Sequence, residues 1–417
     1  MSRDHKENYN RKTNRSKNNL CPYHRRCGGC QYINMPYDQQ LAEKQKYVDK
    51  LLSGFGRVEP IIGMKDPFHY RNKVHGVVGM DRQGNGYTGI YEADSHRLVR
   101  VDYCMIENQK ADQIMQSVAG LMKSFKMKAY NEDTGYGFLR HILIRTGHHT
   151  GEILLVLVTA SPIFPSRNNF VKALRKLHPE ITSIVVNVND RDTSMILADR
   201  QQVLYGKGYI EDILCGKRFR ISPKSFYQVN PVQTEILYGK AIEYAGLTGR
   251  ETVLDAYSGI GTIGMVASDH AGHVIGVELN GEAVKDAIAG ARINKIHNIQ
   301  FVRADAGEYM ARLASGIRHS ADVSRKKVSK QSLTEQAIVR PDVLFMDPPR
   351  SGSSREFLSC LLKLKPEKVV YISCNPETLQ RDLKYLTGNG YRVKKMQPVD
   401  MFPMTEKCEC VVLLTTK

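Results

Sequence analysis

Thr252-Val-Leu-Asp255-Ala-Tyr257-Ser-Gly259-Ile-Gly261-Thr-Ile-Gly264 is the stretch whose reading decides the fold. A short apolar run ends in a carboxylate and opens into three glycines ahead of a segment of helical periodicity, which reads as strand, tight turn and helix. The next apolar run, Val274-Ile-Gly-Val-Glu278, again ends in an acid. A helical pattern follows over residues 282–294, and strands are predicted over 299–305, 343–347 and 368–372. Strands alternating with helices imply an α/β class, with a doubly wound sheet over residues 221–417. Glycines in the first turn let backbone approach a ligand, and an acid at the end of the second strand suits ribose hydroxyls. Nicotinamide cofactors and S-adenosylmethionine both fit that geometry.

Two later strand mouths carry chemistry. Asp347-Pro-Pro-Arg350 removes backbone donors and fixes a bend where a planar base can dock, with Asp347 able to hold a polar edge. Tyr371-Ile-Ser-Cys374-Asn-Pro-Glu-Thr-Leu379 places Cys374 between a strand and a helix start, where nearby N–H groups lower a thiol pKa and make a nucleophile. Taken alone, a free cysteine is more often a small buried hydrophobe. Near the end of the sequence, Glu409 stands where the polar loop of Met401-Phe-Pro-Met-Thr-Glu-Lys-Cys-Glu409 enters an apolar strand. It reads either as a solvated strand end or as a base of raised pKa facing the crevice.

With 417 residues, 41% of them hydrophobic, the chain can bury a large core in two or three domains. No apolar run approaches the roughly eighteen residues of a membrane span, and the start is Asn-, Lys- and Arg-rich with no apolar leader, so a cytoplasmic protein is expected. The formal net charge of +17 favours a polyanionic partner, nucleic acid first. Residues 1–20 read as a disordered basic tail, and the basic, Ser-rich residues 311–340 as a surface insertion. Between them, residues 21–220 read as a largely antiparallel α+β region facing RNA, with a helix over 37–53 and another over 167–177. Within it, Cys21-Pro-Tyr-His-Arg-Arg-Cys27-Gly-Gly-Cys30 and the later Cys104 form a four-thiolate set. Their spacing suits tetrahedral zinc or a [4Fe–4S] cluster alike.

In combination these motifs resemble the RNA 5-methyluridine methyltransferase family, over residues 21–417. The resemblance implies a C-terminal Rossmann-like, S-adenosylmethionine-dependent methyltransferase domain, with an N-terminal and central α+β domain carrying an iron–sulfur site. It identifies the cysteine set (Cys21, Cys27, Cys30, Cys104) with the [4Fe–4S] ligands of the ribosomal-RNA branch. Ser225-Phe226-Tyr-Gln228-Val-Asn230 resembles the segment whose Phe lies by the target base and whose Gln contacts the cofactor. Tyr257, Gly259 and Glu278 look like methionine and ribose contacts, Asp305 like an adenine contact, and Asp347 like the joint of cofactor and uracil. Cys374 matches the nucleophile and Glu409 the proton-abstracting base. The resemblance implies 23S ribosomal RNA as the substrate, with transfer RNA the alternative; a monomer is expected, although nothing in the sequence carries the oligomeric state. The pattern departs from the family at Ser258, where Cys is expected, and at Met404, Glu406 and Lys407, which replace a His-rich loop. The oligonucleotide-binding TRAM domain of many relatives has no counterpart here, so RNA selection is expected to lie elsewhere.

Overall fold

The computed structural model describes residues 20–92, 95–191, 193, 195–316 and 340–417. The expected basic tail, apart from Leu20, and most of the basic insertion lie outside the described residues.

The first half of the chain builds a seven-stranded sheet from β1 (Lys73–Met80), β2 (Gly86–Tyr91), β3 (Leu98–Arg100), β4 (Leu139–Thr146), β5 (Ile153–Thr159), β6 (Ile181–Val188) and β7 (Arg200–Tyr205). Its order is β3-β2-β1-β4-β5-β6-β7, antiparallel except between β5 and β6. That exception follows from the helix Arg167–Leu177, which carries the chain back across the sheet so that β6 runs beside β5 in the same direction. Alternate residues divide the faces. Val74, Val78, Ile142, Ile144, Leu155 and Leu157 form a core with the helices Gln109–Leu121 and Arg167–Leu177. Leu143, Leu154, Val156 and Val158 point the other way and join the core of the second half.

A hairpin of β8 (Ile210–Leu214) and β9 (Lys217–Ile221) leads into that half. Its sheet comprises β10 (Thr252–Asp255), β11 (His273–Glu278), β12 (Ile299–Arg303), β13 (Val343–Met346), β14 (Lys368–Ser373), β15 (Tyr391–Val399) and β16 (Glu409–Thr416). The order is β12-β11-β10-β13-β14-β16-β15, parallel from β12 to β14, with β16 antiparallel to both its neighbours. Both faces are covered, as a doubly wound sheet requires. Val253, Val274, Phe345, Val370 and Ile372 pack on one side with Leu237, Ile263 and Ala287. Leu254, Ile275, Met346 and Tyr371 pack on the other with Val48, Leu52, Phe357 and Leu383.

After β10 the chain lays down β11 and β12 on one side and then returns to place β13 on the other. The strand order therefore reverses at β10, and the crevice outside the carboxyl ends of β10 and β13 is the place where open α/β sheets bind ligands.

The helix Tyr37–Leu52 belongs to this half in space although it lies far away in sequence. Lys44 Nζ sits 2.6 Å from Asp400 Oδ1, both side chains fully buried. Tyr37 Oη donates to Asp400 Oδ2 at 2.8 Å, and Ile62 bridges to Val399. The Asp400 carboxylate thus fixes the helix Tyr37–Leu52 to the loop that leads into β16.

Candidate active site

Cys374 is the first of the two residues between β14 and the helix Pro376–Gly388. The helix begins there because Asn375 caps it, its side chain accepting from Glu377 N–H at 3.1 Å, and because Pro376 fills the first turn. The β14–β16 ladder ends on the pair Ser373–Cys410; Cys374 follows it on one strand and Glu409 precedes it on the other, and the Glu409 charge acts on the Cys374 thiol.

Glu409 is buried, and its Oε2 has no hydrogen-bond partner among the described residues. Burial pushes its pKa well above the ordinary carboxylate value, the Asp347 and Cys408 charges push it further, and the Arg350 guanidinium pulls it back. Asp347, just past β13, is itself pushed up to about 7 by burial.

For Cys374 the expectation of a lowered pKa is overturned. Burial, then the Glu409 and Asp347 carboxylates, push its thiol up to about 11, against the opposing pull of Arg350. Asn375 takes up the helix-start N–H of Glu377, and two acids stand nearby. In the free protein the thiol is therefore protonated at neutral pH.

The glycine-rich turn after β10 forms the floor of the adjoining crevice. Asp255 is fully buried; its Oδ2 accepts from Gly264 N–H at 2.9 Å, while Oδ1 has no partner. Burial pushes Asp255 up to about 7. The Ser258 hydroxyl oxygen is likewise buried and unpartnered. Buried polar atoms are rarely left so, and these two at one strand end mark where a polar ligand group would fit. Gly261 has φ +81°, and a Cβ there would stand 2.6 Å from the Phe301 ring. Gly259, at φ +56°, faces open space instead. That combination is a backbone cradle with room above it.

Glu278 reaches this turn from the end of β11, accepting from Gly259 N–H at 3.0 Å and from Asn280 N–H at 2.7 Å. Tyr257 lies against the Phe357 ring at 5.4 Å. Asp305 is engaged as a helix cap, accepting from Gly307 and Glu308 N–H groups at 2.8 and 3.1 Å. Leu279, which sequence reasoning did not single out, is 63% exposed directly after Glu278. It offers an apolar platform where a planar group can pack; its only sequence signal is an apolar residue following the strand-end acid.

Phe226 and Gln228 sit on a segment pinned from both sides. Arg145 donates to the carbonyls of Pro223 and Ser225, and Asn72 donates to the Gln228 carbonyl at 3.0 Å. The pinning leaves Gln228 buried and Phe226 65% exposed. Arg350, part of the quoted Asp-Pro-Pro-Arg motif but given no role there, is the cation that opposes the acids at Cys374 and Glu409.

Cys21, Cys27, Cys30 and Cys104 are free, half-buried thiols. Cys21, Cys30 and Cys104 pack around Ile33, Met64, Tyr70, Ile106 and Met404. Burial, then the neighbouring Cys27 and Cys21, push Cys30 up to about 12, and Cys104 is raised by burial with Cys30 adding to it. The four sulfurs are thus gathered in one region, although among the described residues no three His, Cys, Asp or Glu side chains are set as a metal-binding group. As a donor set, four cysteines around an apolar pocket suit a thiophilic centre.

The sequence model of the tRNA (uracil-5-)-methyltransferases matches residues 36–417. The chain belongs to that family. An uncharacterized RNA methyltransferase of Halalkalibacterium halodurans is 42% identical over 403 residues, spanning 95% of this chain and 83% of the relative. Another, of Oceanobacillus iheyensis, is 40% identical over 400 residues, spanning 94% and 82%. The crystal structure of the Pyrococcus abyssi tRNA (uracil-54, C5)-methyltransferase with S-adenosyl-L-homocysteine superposes with a TM-score of 0.73 at 26% identity, over 93% of this chain and 86% of that one.

Proposed function

We propose that the protein transfers a methyl group from S-adenosylmethionine to carbon 5 of a uridine in RNA, through a covalent bond between Cys374 and carbon 6 of the uracil. The observation that carries this reading is the end of the β14–β16 ladder, where a cysteine at a helix mouth lies within the electrostatic reach of a buried glutamate whose Oε2 has no partner among the described residues.

Carbon 5 of uracil is a poor nucleophile, and the residues supply the electrons it lacks. Cys374, once its proton has left, adds to carbon 6 and drives the ring's electrons onto carbon 5 and the adjoining carbonyl oxygen. Arg350 favours the thiolate in that step. S-adenosylmethionine, when bound, would supply its methyl group to the carbon 5 enolate, the methyl–sulfur bond breaking in line as the carbon–carbon bond forms and leaving the neutral thioether S-adenosylhomocysteine. Asp255 and Ser258 hold the cofactor by their unpartnered oxygens, Gly259 gives it room, Gln228, Tyr257 and Glu278 flank it, and Asp305 borders its adenine end. Glu409 then takes the carbon 5 proton, a task for which a carboxylate of raised pKa is a stronger base. Elimination returns the electrons to Cys374 and frees the methylated ring. Phe226 and Asp347 border the extruded base.

Ribosomal RNA, 23S in particular, is the substrate we favour, because the four-cysteine set marks that branch of the resemblance. In the same reading Cys21, Cys27, Cys30 and Cys104 hold a [4Fe–4S] cluster, which positions the N-terminal segment and takes no part in the transfer. The second reading, transfer RNA, is supported by the Pyrococcus neighbour, which acts on uracil-54 of tRNA.

Labelled methyl incorporation from S-adenosylmethionine into 23S rRNA and into tRNA decides between the two. Counts in rRNA alone are expected, and counts in tRNA alone overturn the substrate assignment. Protein purified without oxygen is expected to be brown with broad visible absorbance; colourless protein with one equivalent of zinc overturns the cluster.

A further inference from the structure

One face of the helix Tyr37–Leu52 has no role in the chemistry above. Gln40, Lys44, Val48 and Leu52 recur every fourth residue and are buried. The neighbouring stripe, Lys46, Tyr47 and Lys50, is exposed. It lines a cavity of about 580 Å³ together with Tyr32, Arg350 and Cys374, and with the carboxylates of Glu43, Glu377 and Glu406. That volume lies within the range of whole ligand sites and is well beyond what one pyrimidine ring fills.

The chemistry of the wall is that of a single-stranded nucleic-acid track. Lys46, Lys50 and Arg350 make no ion pair among the described residues. Tyr47 is 38% exposed, and its hydroxyl donates to Glu377 Oε1 at 3.0 Å, which holds the ring in place and occupies one of the groove's carboxylates. Aromatic rings held firm beside unpaired cations, in a groove open to solvent, stack bases and neutralise phosphates. Cys374 lines the same cavity as Lys46, Tyr47 and Lys50, so a strand delivering its uracil to Cys374 from this side meets them.

We propose that this groove binds the RNA nucleotide adjoining the target uridine, with Tyr47 stacking on its base, Tyr32 bordering the next, and Lys46 and Lys50 meeting the phosphates. The assignment rests on the methyltransferase reading and adds to it the element that selects RNA around the reacting base. The Lys44–Asp400 pair then has a second consequence: it holds the selecting helix in fixed register with the loop leading to Glu409.

The test compares the full-length wild type with Tyr47→Ala, Tyr47→Phe and the double variant Lys46→Gln/Lys50→Gln. The readouts are methylation kinetics, binding of a uridine-containing RNA oligonucleotide at several salt concentrations, S-adenosylmethionine affinity and thermal melting. Tyr47→Ala is expected to weaken RNA binding and raise the RNA KM roughly tenfold, the worth of one stacked base, with kcat and cofactor affinity unchanged. Tyr47→Phe keeps the ring but loses the hydrogen bond to Glu377, and is expected to fall between the wild type and Tyr47→Ala. The lysine pair is expected to lower the slope of log affinity against log salt by about 1.4, the single-strand value for two phosphates. The proposal is overturned if an active wild type and these variants bind RNA alike, if Tyr47→Phe is as impaired as Tyr47→Ala, or if polyglutamate competes as well as RNA. A wild type that neither methylates nor binds RNA overturns the parent reading instead, and the groove assignment with it.

Discussion

Cys374 follows, and Glu409 precedes, the Ser373–Cys410 pair that ends the β14–β16 ladder, although 34 residues lie between them in the chain. The sheet thus brings the Glu409 charge to the Cys374 thiol, and Glu409 Oε2 is buried without a hydrogen-bond partner among the described residues. Glu409→Gln keeps the shape and the burial but removes the base. Methyl transfer to carbon 5 should still occur once per site while release of the product slows by roughly 10²–10⁴. A methylated protein–RNA band on a denaturing gel checks this; unchanged turnover would remove Glu409 from the base role.

Arg350 is the cation that opposes burial and the two acids at the Cys374 thiol, whose pKa stands at about 11. A positive neighbour favours the thiolate, so its removal in Arg350→Gln raises the pKa further. Alkylation of Cys374 by iodoacetamide, followed against pH, should be slower in the variant at every pH below the wild-type midpoint. Equal profiles would mean that Arg350 does not act on the thiol.

Asp255 carries a pH signature in stability. Its folded-state pKa of about 7 lies above the ordinary value of 3.8, so the folded protein holds that proton more tightly than the unfolded chain. Stability from this group is complete below about pH 4, declines as pH rises through about 7, and is flat beyond. Between pH 5 and pH 8 the loss from this group is on the order of a few kcal/mol. Asp255→Asn should lose less than the wild type over that interval in urea unfolding, because asparagine does not ionise.

The two glycines of the cofactor turn should respond differently to alanine. Gly261→Ala meets both a left-handed backbone and the Phe301 ring, so stability should fall by more than the roughly 1–2 kcal/mol of backbone strain alone. Gly259→Ala meets only the backbone strain, and its methyl group projects into open space. Calorimetric titration should show it losing S-adenosylmethionine affinity out of proportion to any change in melting temperature.

Much of this architecture was legible in the sequence, and the exceptions have physical reasons. The Gly259–Gly264 turn and the strand-end acids announce the doubly wound sheet because only that backbone needs those residues there. The strand at β2 and the helix Arg167–Leu177 fall where periodicity sets them, with the same bounds. β15 was missed: Arg392, Lys394 and Lys395 interrupt its apolar run, and it holds its place at the sheet edge through β16. Helix Pro231–Ala245 was missed because it is apolar on several sides at once, buried between β8 and the second sheet. At the site, Cys374 and Glu409 could be named from their motifs. The raised thiol pKa could not, since it depends on Asp347 and Glu409 converging from separate strands.

The central claim is the covalent Cys374–uracil intermediate, and its most direct test uses RNA carrying 5-fluorouridine with S-adenosylmethionine. Glu409 cannot remove fluorine as a proton, so turnover should stop after methyl transfer. Wild type should give a heat-stable, RNase-sensitive shift on a denaturing gel, and Cys374→Ala should bind the same RNA without shifting. A shift that persists in Cys374→Ala, or an unshifted wild type that nonetheless methylates ordinary uridine RNA, would contradict the mechanism.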